Sequence, residues 1–313
     1  MKHFIFKVIE LTKGTLFLSW PGQMIWRLRP RDKSGSLVNK GVKTALVAHI
    51  YYPELTSEVL RCFRSLPEGA DLHVTTVQER AAEVREQVAN IDRVQIHVRP
   101  NRGRDIAPFI HLVNNGVFDG YDAVLKLHTK RSPHLVNGDM RRKVLFCMLA
   151  GDAEQVRRAL VALCKEGAGV VGWGTAYRST PLYWMANKER VAALLRRASP
   201  SADVIPAFFE GSMFWFAPDA LRLIRSMNID LDEFEEESSQ LDGTLHHAIE
   251  RIFCTSARAA GYSTRSMSGG LLLESAEEIT DKLNGVTASP KGPLSNRYAK
   301  PQRNMTGSPV LLD

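Results

Sequence analysis

The sequence predicts an α/β protein with a mostly parallel β-sheet and helices on both of its faces. Two observations lead there. A Gly/Ser/Lys stretch at 31–41, RDKSGSLVNKG, separates an irregular N-terminal arm from a region of sharply different pattern. In that region strand-length apolar runs and segments of helical period take turns, and repeated strand–helix–strand units of this spacing build parallel sheets.

The first run, KTALVAHIYY (43–52), has strand length and stops at Pro53. Residues 55–66 then place Leu55, Val59, Leu60, Phe63 and Leu66 at helical spacing. ADLHVTTV (70–77) alternates as a strand, QERAAEVREQVAN (78–90) is a polar-faced helix, and RVQIHVRP (93–100) is a third strand. A helix over DIAPFIHLVNN (105–115) leads to a fourth strand, YDAVLKLH (121–128). Helices at 138–150 and 152–166 precede the strand AGVVGWG (168–174), and another helix covers 187–198. A strand-like run, AFFEGSMFWFA (207–217), enters a helix in which Pro218 suits the first turn. The longest helical pattern runs over 240–261, with Gly261 placed to close it. The domain therefore spans 43–283, after an arm at 1–42 and before a tail at 284–313 rich in turn formers and without a core pattern. No internal repeat is present.

A chain of 313 residues buries a sizeable core, and 44% hydrophobic with 24% charged residues is ordinary for a soluble globular protein. The net charge of +7 is local: residues 1–43 hold nine cations (Lys2, Lys7, Lys13, Arg27, Arg29, Arg31, Lys33, Lys40, Lys43) against Glu10 and Asp32. The rest is near neutral, which argues against a nucleic-acid-binding face on the domain. TLFLSWPGQMIW (15–26) is broken by Pro21 and Gly22 and falls short of the ~20 residues of a membrane span. No cleavage site of a secretory signal follows it. Its apolar side chains, followed by Arg27, Arg29 and Arg31, suit an interfacial segment on anionic lipid; the alternative is an irregular arm packed on the domain. Cys62, Cys147, Cys164 and Cys254 are scattered without metal-ligand spacing, as reduced, mostly buried thiols of a cytosolic protein are.

Open parallel sheets bind ligands at the carboxyl ends of their strands. Those ends carry His49 and Tyr51 on the first strand, Thr75 on the second and Trp173 on the fifth. After the third comes Asn101, Arg102, Gly103, Arg104 and Asp105: two cations around a glycine, suited to phosphate, or simply a turn capping the next helix. The fourth strand ends on His128, Thr129 and Lys130, with His128 and Lys130 alternating to one side. This basic terminus either neutralises a diphosphate or is a solvated loop. Asp242, His246 and Glu250 stand at i, i+4 and i+8 of the helical pattern, behind Glu235, Glu236 and Glu237, and Gly243 follows Asp242. A metal site on one helix and a capping or solvated face are both compatible with that spacing. Glu210, Gly211 and Ser212 open the 207–217 run, where Glu210 could face a ligand.

The blocks VAHIYYPEL, NRGRDIAPFIHL, YDAVLKLHTKRS, EGSMFWFAPDAL and QLDGTLHHAIERIF, in order over about 44–254, resemble the rhamnan synthesis protein F family of bacterial surface-polysaccharide enzymes. The resemblance implies a GT-A-like glycosyltransferase that builds a rhamnose-containing chain, rhamnan or O-antigen, from a nucleotide sugar. It implies thymidine diphosphate rhamnose (dTDP-rhamnose) as donor, with inversion, and a lipid-linked or growing glycan as acceptor. Family-2 transferases keep an acidic D-x-D pair where this chain has His128 to Lys130. On that alignment His128, Lys130, Arg102 and Arg104 stabilise the leaving diphosphate, and Mg²⁺ or Mn²⁺ enters only if a carboxylate from elsewhere reaches it. The remaining donor contacts fall to His49, Tyr51, Thr75, Asn101, Gly103, Asp105, Thr129, Trp173, Gly211, Ser212, Gly243 and His246. An inverting transfer needs a carboxylate base, for which Asp242 is the first choice, Glu237 the second and Glu210 the third. Two other readings stand beside this: a non-catalytic nucleotide- or glycan-binding partner in an assembly complex, and a metal hydrolase built on Asp242, His246 and Glu250. The expected location is the cytoplasm, peripheral on the inner face of the cytoplasmic membrane if the arm is the interfacial segment. Deleting residues 1–40 is expected to move it from the membrane pellet to the soluble fraction with activity retained; unchanged sedimentation would refute the lipid-binding role.

Overall fold

The computed structural model describes residues 41–129, 131, 138–198, 206–238 and 240–272. The arm up to residue 40, Lys130 and the tail from 273 lie outside the described residues. Four strands, β1 (Thr44–His49), β2 (Asp71–Thr76), β3 (Val94–Val98) and β4 (Ala123–His128), alternate with helices α1 (Thr56–Phe63), α2 (Ala81–Val88) and α3 (Ile106–Asn114). Next come α4 (Gly138–Ala150), α5 (Ala153–Cys164) and β5 (Ala168–Gly172). The second half holds β6 (Tyr177–Arg178), α6 (Lys188–Ala198), β7 (Phe208–Phe209), β8 (Phe214–Phe216) and α7 (Arg222–Ser226). It closes with α8 (Leu245–Glu250), α9 (Phe253–Ala259), β9 (Ser263–Ser266) and β10 (Leu271–Leu272).

Eight strands form one sheet in the order β10-β9-β5-β8-β4-β1-β2-β3. β1 to β4 are mutually parallel, as the crossover helices require, and β5 pairs parallel with β9. The two exceptions are β8, antiparallel between β4 and β5, and the edge strand β10. One face packs on α3 and α6 to α9, around Phe109, Phe214, Phe216, Leu194 and Phe253. The other packs on α1, α2, α4 and α5, around Leu46, Leu72, Leu125, Leu160 and Trp215. The expectation of a mostly parallel sheet covered on both faces is met.

Two expected elements differ. The 207–217 run is not one strand: β7 pairs with β6 in a separate ribbon, and the chain turns at Gly211 (φ 87°) and Ser212 (φ 50°) before β8 joins the main sheet. The helix expected over 240–261 is two helices, and Asp242 lies ahead of both. The break has a visible cause. Ala207 donates its N–H to the Arg251 carbonyl (2.9 Å) and accepts from the Cys254 N–H (3.0 Å), taking backbone groups that a continuous helix would pair internally. Gly261 (φ 88°) ends α9 as expected. All four cysteines are free; Cys62 and Cys254 are buried, Cys147 is half-buried and Cys164 is exposed.

The least expected feature of the sheet is a lysine inside it. Lys126 lies mid-β4 with 2% of its side chain exposed, between the rings of Phe109 and Phe214. Its Nζ donates to Asp105 Oδ2 (2.6 Å) and to the Ser212 carbonyl (2.8 Å). Removing one member of a buried pair leaves the other charged and unsatisfied, so Lys126→Met is expected to destabilise by about 3–5 kcal/mol. Adding Asp105→Leu is expected to recover most of that loss, as read from urea denaturation midpoints.

Candidate functional site

Because β8 runs against β4, its beginning lies at β4's end. The register Lys126↔Phe214 and Val124↔Phe216 carries the Gly211–Ser212 turn over His128. The His128 Nε2 bonds to the Gly211 carbonyl, which can only accept, so that nitrogen carries the proton. Beside it, His49 Nδ1 meets Thr75 Oγ1 at 3.0 Å. Burial pushes the His49 imidazole down to about 4, against the attraction of Asp105 and with the help of His128 and Lys126. The Thr129 hydroxyl accepts from the Tyr51 and Tyr52 amides, both at 3.0 Å, and so fastens the end of β1. Tyr51 is half-buried, with the Arg80 guanidinium 5.9 Å from its ring centre.

The turn between β3 and α3 supplies the opposite wall. Gly103 (φ 57°) is obligatory, since a Cβ there would stand 2.4 Å from the Phe234 ring. Arg104 shares the left-handed conformation (φ 55°). Its guanidinium grips Glu237 with two bonds (3.0 and 2.9 Å) and the Gln240 carbonyl with another (2.7 Å). Arg102 reaches Glu236 at 2.8 Å, while Asn101 is exposed. Asp105 stands at the helix entry but makes no side-chain cap; its carboxylate turns inward to Lys126.

The three carboxylates proposed as base are all ion-paired. Glu237 is held by Arg104, and Glu210 accepts from Arg141 (2.7 Å) and Arg178 (2.5 Å). Asp242 accepts from the Ala186 N–H (3.0 Å), Asn187 Nδ2 (2.8 Å) and Arg251 (2.9 Å). Burial opposes its charge, but the donors prevail and hold its pKa below the usual carboxylate range. Asp242 thus locks the 181–187 loop to α8 and is poorly suited to take a proton. It also does not share a helix with His246 and Glu250: Gly243 (φ 80°) turns the chain, and Thr244 is the α8 N-cap. The Thr244 hydroxyl meets His246 and His247, whose ring centres lie 4.1 Å apart with the planes tilted by 39°. Glu250 instead accepts from the Ser212 hydroxyl at 2.9 Å.

The structure therefore brings His49, Thr75, Arg104, Asp105, His128, Gly211, Ser212 and His246 into one polar cluster around Lys126. Trp173 lies apart, half-buried at the end of β5 on the other side of β8. Sequence reasoning passed over Lys126, His247, Asn187 and Arg251. The period-two stripe Val124, Lys126, His128 was the available signal for the first, since it places a lysine on an otherwise buried face. Among the described residues no three His, Cys, Asp or Glu side chains form a metal-ligand group. The residues at the end of β4 do not fit a divalent cation: the His128 Nε2 faces Gly211, the Thr129 hydroxyl faces two amides, and Asp105 faces Lys126.

Three apolar side chains are strongly exposed: Leu241 (81%), Leu182 (70%) and Met185 (60%), the most exposed large hydrophobics described. Met185 and Leu241 are neighbours, because each precedes a member of the Ala186–Asp242 hydrogen bond.

Together these features define an α/β protein that gathers its polar groups where a mostly parallel sheet takes its ligands. The family model for rhamnan synthesis protein F matches residues 27–262, and the chain belongs to that family. The match begins inside the arm, ahead of the first block at 44 that carried the resemblance. Two relatives, both described as uncharacterized protein WxcX, come from two strains of Xanthomonas campestris pv. campestris. They are 30% and 29% identical over 220 residues, which is 69% of this chain and 32% of theirs. The chain thus spans about a third of the length of these curated relatives. A crystal structure of a mycobacterial protein aligns at 12% identity and a TM-score of 0.33 over 71% of this chain and 73% of its own, too loose a likeness to bear on the fold. No helix among the described residues is long and apolar enough to cross a membrane.

Burial also pushes His246 down to about 3, aided by His247 and Arg104, and His73 on β2 down to about 4, aided by His97. Both are neutral when folded, yet take up a proton near 6.5 when unfolded. The unfolded chain therefore binds more protons between about pH 6.5 and 4, and stability falls as pH drops through that window. Each group is expected to contribute a slope of up to about 1.4 kcal/mol per pH unit, measured by urea titrations at pH 7, 6 and 5.

Proposed function

We propose that this domain is a GT-A-like glycosyltransferase that moves a sugar, rhamnose in the first instance, from a nucleoside diphosphate to a growing surface polysaccharide with inversion. The observation that carries the reading is the polar cluster at the carboxyl ends of β1 and β4 in a chain of the rhamnan synthesis protein F family. Arg102, in the turn between β3 and α3 beside this cluster, is a cation available to a ligand. Its partner Glu236 is 84% exposed, and such a pair is worth under about 1 kcal/mol, so Arg102 can exchange that carboxylate for a diphosphate. The exposed corner of Leu182, Met185 and Leu241 suits the apolar part of a lipid-linked acceptor, with the protein peripheral at the inner membrane face.

A second reading, a non-catalytic nucleotide- or glycan-binding partner, is favoured by the ion pairing of Glu210, Glu237 and Asp242. Transfer from labelled dTDP-rhamnose to membrane-extracted acceptor separates the two. The transferase reading expects incorporation that persists in EDTA, and expects Arg102→Ala to weaken dTDP binding about 10-fold. Stabilisation of the protein by dTDP-rhamnose, about 2.7 kcal/mol at a hundredfold excess over Kd, without incorporation would favour the binding role.

A further inference from the structure

We infer that Glu250, held by Ser212, is the group that takes the proton from the acceptor hydroxyl; the inference rests on the sugar-transfer reading above. Each of the three carboxylates first proposed for this work carries an arginine at hydrogen-bond distance, and Asp105 carries Lys126. Glu250 differs. Its Oε1 accepts from the neutral Ser212 hydroxyl at 2.9 Å, and its Oε2 makes only a long ion pair with Arg251, at 3.9 Å and without a hydrogen bond. Arg251 has no reason to close that gap, because its donors already serve the Tyr183 and His247 carbonyls and Asp242.

A cation on a carboxylate stabilises its ionised form and weakens it as a base. A single bond from a hydroxyl aims the group and leaves one oxygen able to receive a proton. Glu250 is also mostly shielded yet reachable, with 22% of its side chain exposed. Its support is rigid. Ser212 is 3% exposed and sits at φ 50°, a conformation maintained by Lys126, whose Nζ holds the Ser212 carbonyl at 2.8 Å. The buried ion pair thereby positions the base through the turn ahead of β8.

In the step itself, the acceptor oxygen forms a bond to the anomeric carbon while the bond from that carbon to the diphosphate oxygen breaks. The bonding pair leaves with the nucleoside diphosphate, and the acceptor proton passes to Glu250 Oε2. No electron acceptor or donor is required.

The test uses the full chain in two assays: the midpoint shift caused by dTDP on the purified protein, and polysaccharide made by a deletion strain carrying the variant. Glu250→Gln keeps the shape and the bond from Ser212 but cannot take the proton. It is expected to retain the dTDP shift and to lose polymer synthesis by about 100-fold or more. Ser212→Gly, which suits the positive φ and removes the hydroxymethyl group that holds Glu250, is expected to lose about 10-fold with the dTDP shift intact. Polymer synthesis by Glu250→Gln within about 3-fold of wild type overturns the inference, as does loss of its dTDP shift, which would make Glu250 a binding or packing group. If the wild-type chain gives no shift with any nucleotide and its deletion leaves the polymer unchanged, the sugar-transfer reading itself fails, a result distinct from either variant outcome.

Discussion

The contact between Lys126 and Asp105 joins the three parts on which the candidate site is built. Lys126 belongs to a central strand, Asp105 to the entry of α3, and the second oxygen that Lys126 holds belongs to the turn before β8. A cation with 2% of its side chain exposed is tolerable only when paired and hydrogen-bonded, and this one has both. The aromatic rings on either side keep water away and strengthen the attraction. Three segments that are remote in sequence are thereby fixed to one point.

The strained backbone of the site follows from that point. Arg104, which precedes Asp105 in the chain, and Ser212, whose carbonyl Lys126 holds, are non-glycine residues at positive φ, and each is held by bonds on more than one side. Ser212 serves two neighbours at once, accepting from Lys126 through its carbonyl and donating to Glu250 through its hydroxyl. The antiparallel insertion of β8 makes this possible, because a parallel strand would have presented its end, not its beginning, beside His128.

The same geometry reassigns the carboxylates. Asp242, Glu237 and Glu210 stand as the first, second and third candidates for the base in the sequence, yet each binds an arginine and acts as a tie between loops and helices. The Glu235–Glu237 run, which resembles a solvated acidic face, is a row of counter-ions for Arg190, Arg102 and Arg104. The family relation supports a role in polysaccharide synthesis, and the distribution of these pairs narrows which side chains remain suited to chemistry within it.

The alternation of apolar runs and helical periods from 43 to 198 was legible in the sequence, because strand and helix periodicity are local properties of the chain. So was the turn at Gly103, and so were the blocks that carry the family relation. The sequence could not decide whether 240–261 is one helix, since the interruption comes from Ala207, some 44 residues before the carbonyl it takes. It could not distinguish a free carboxylate from a paired one either, because the partners of Glu237 and Asp105 lie 133 and 21 positions away. Local pattern determined which elements form and which residues stand at their ends. The tertiary structure alone decided which charges neutralise one another, because ion pairing depends on distances that only the closed sheet and its packed helices set.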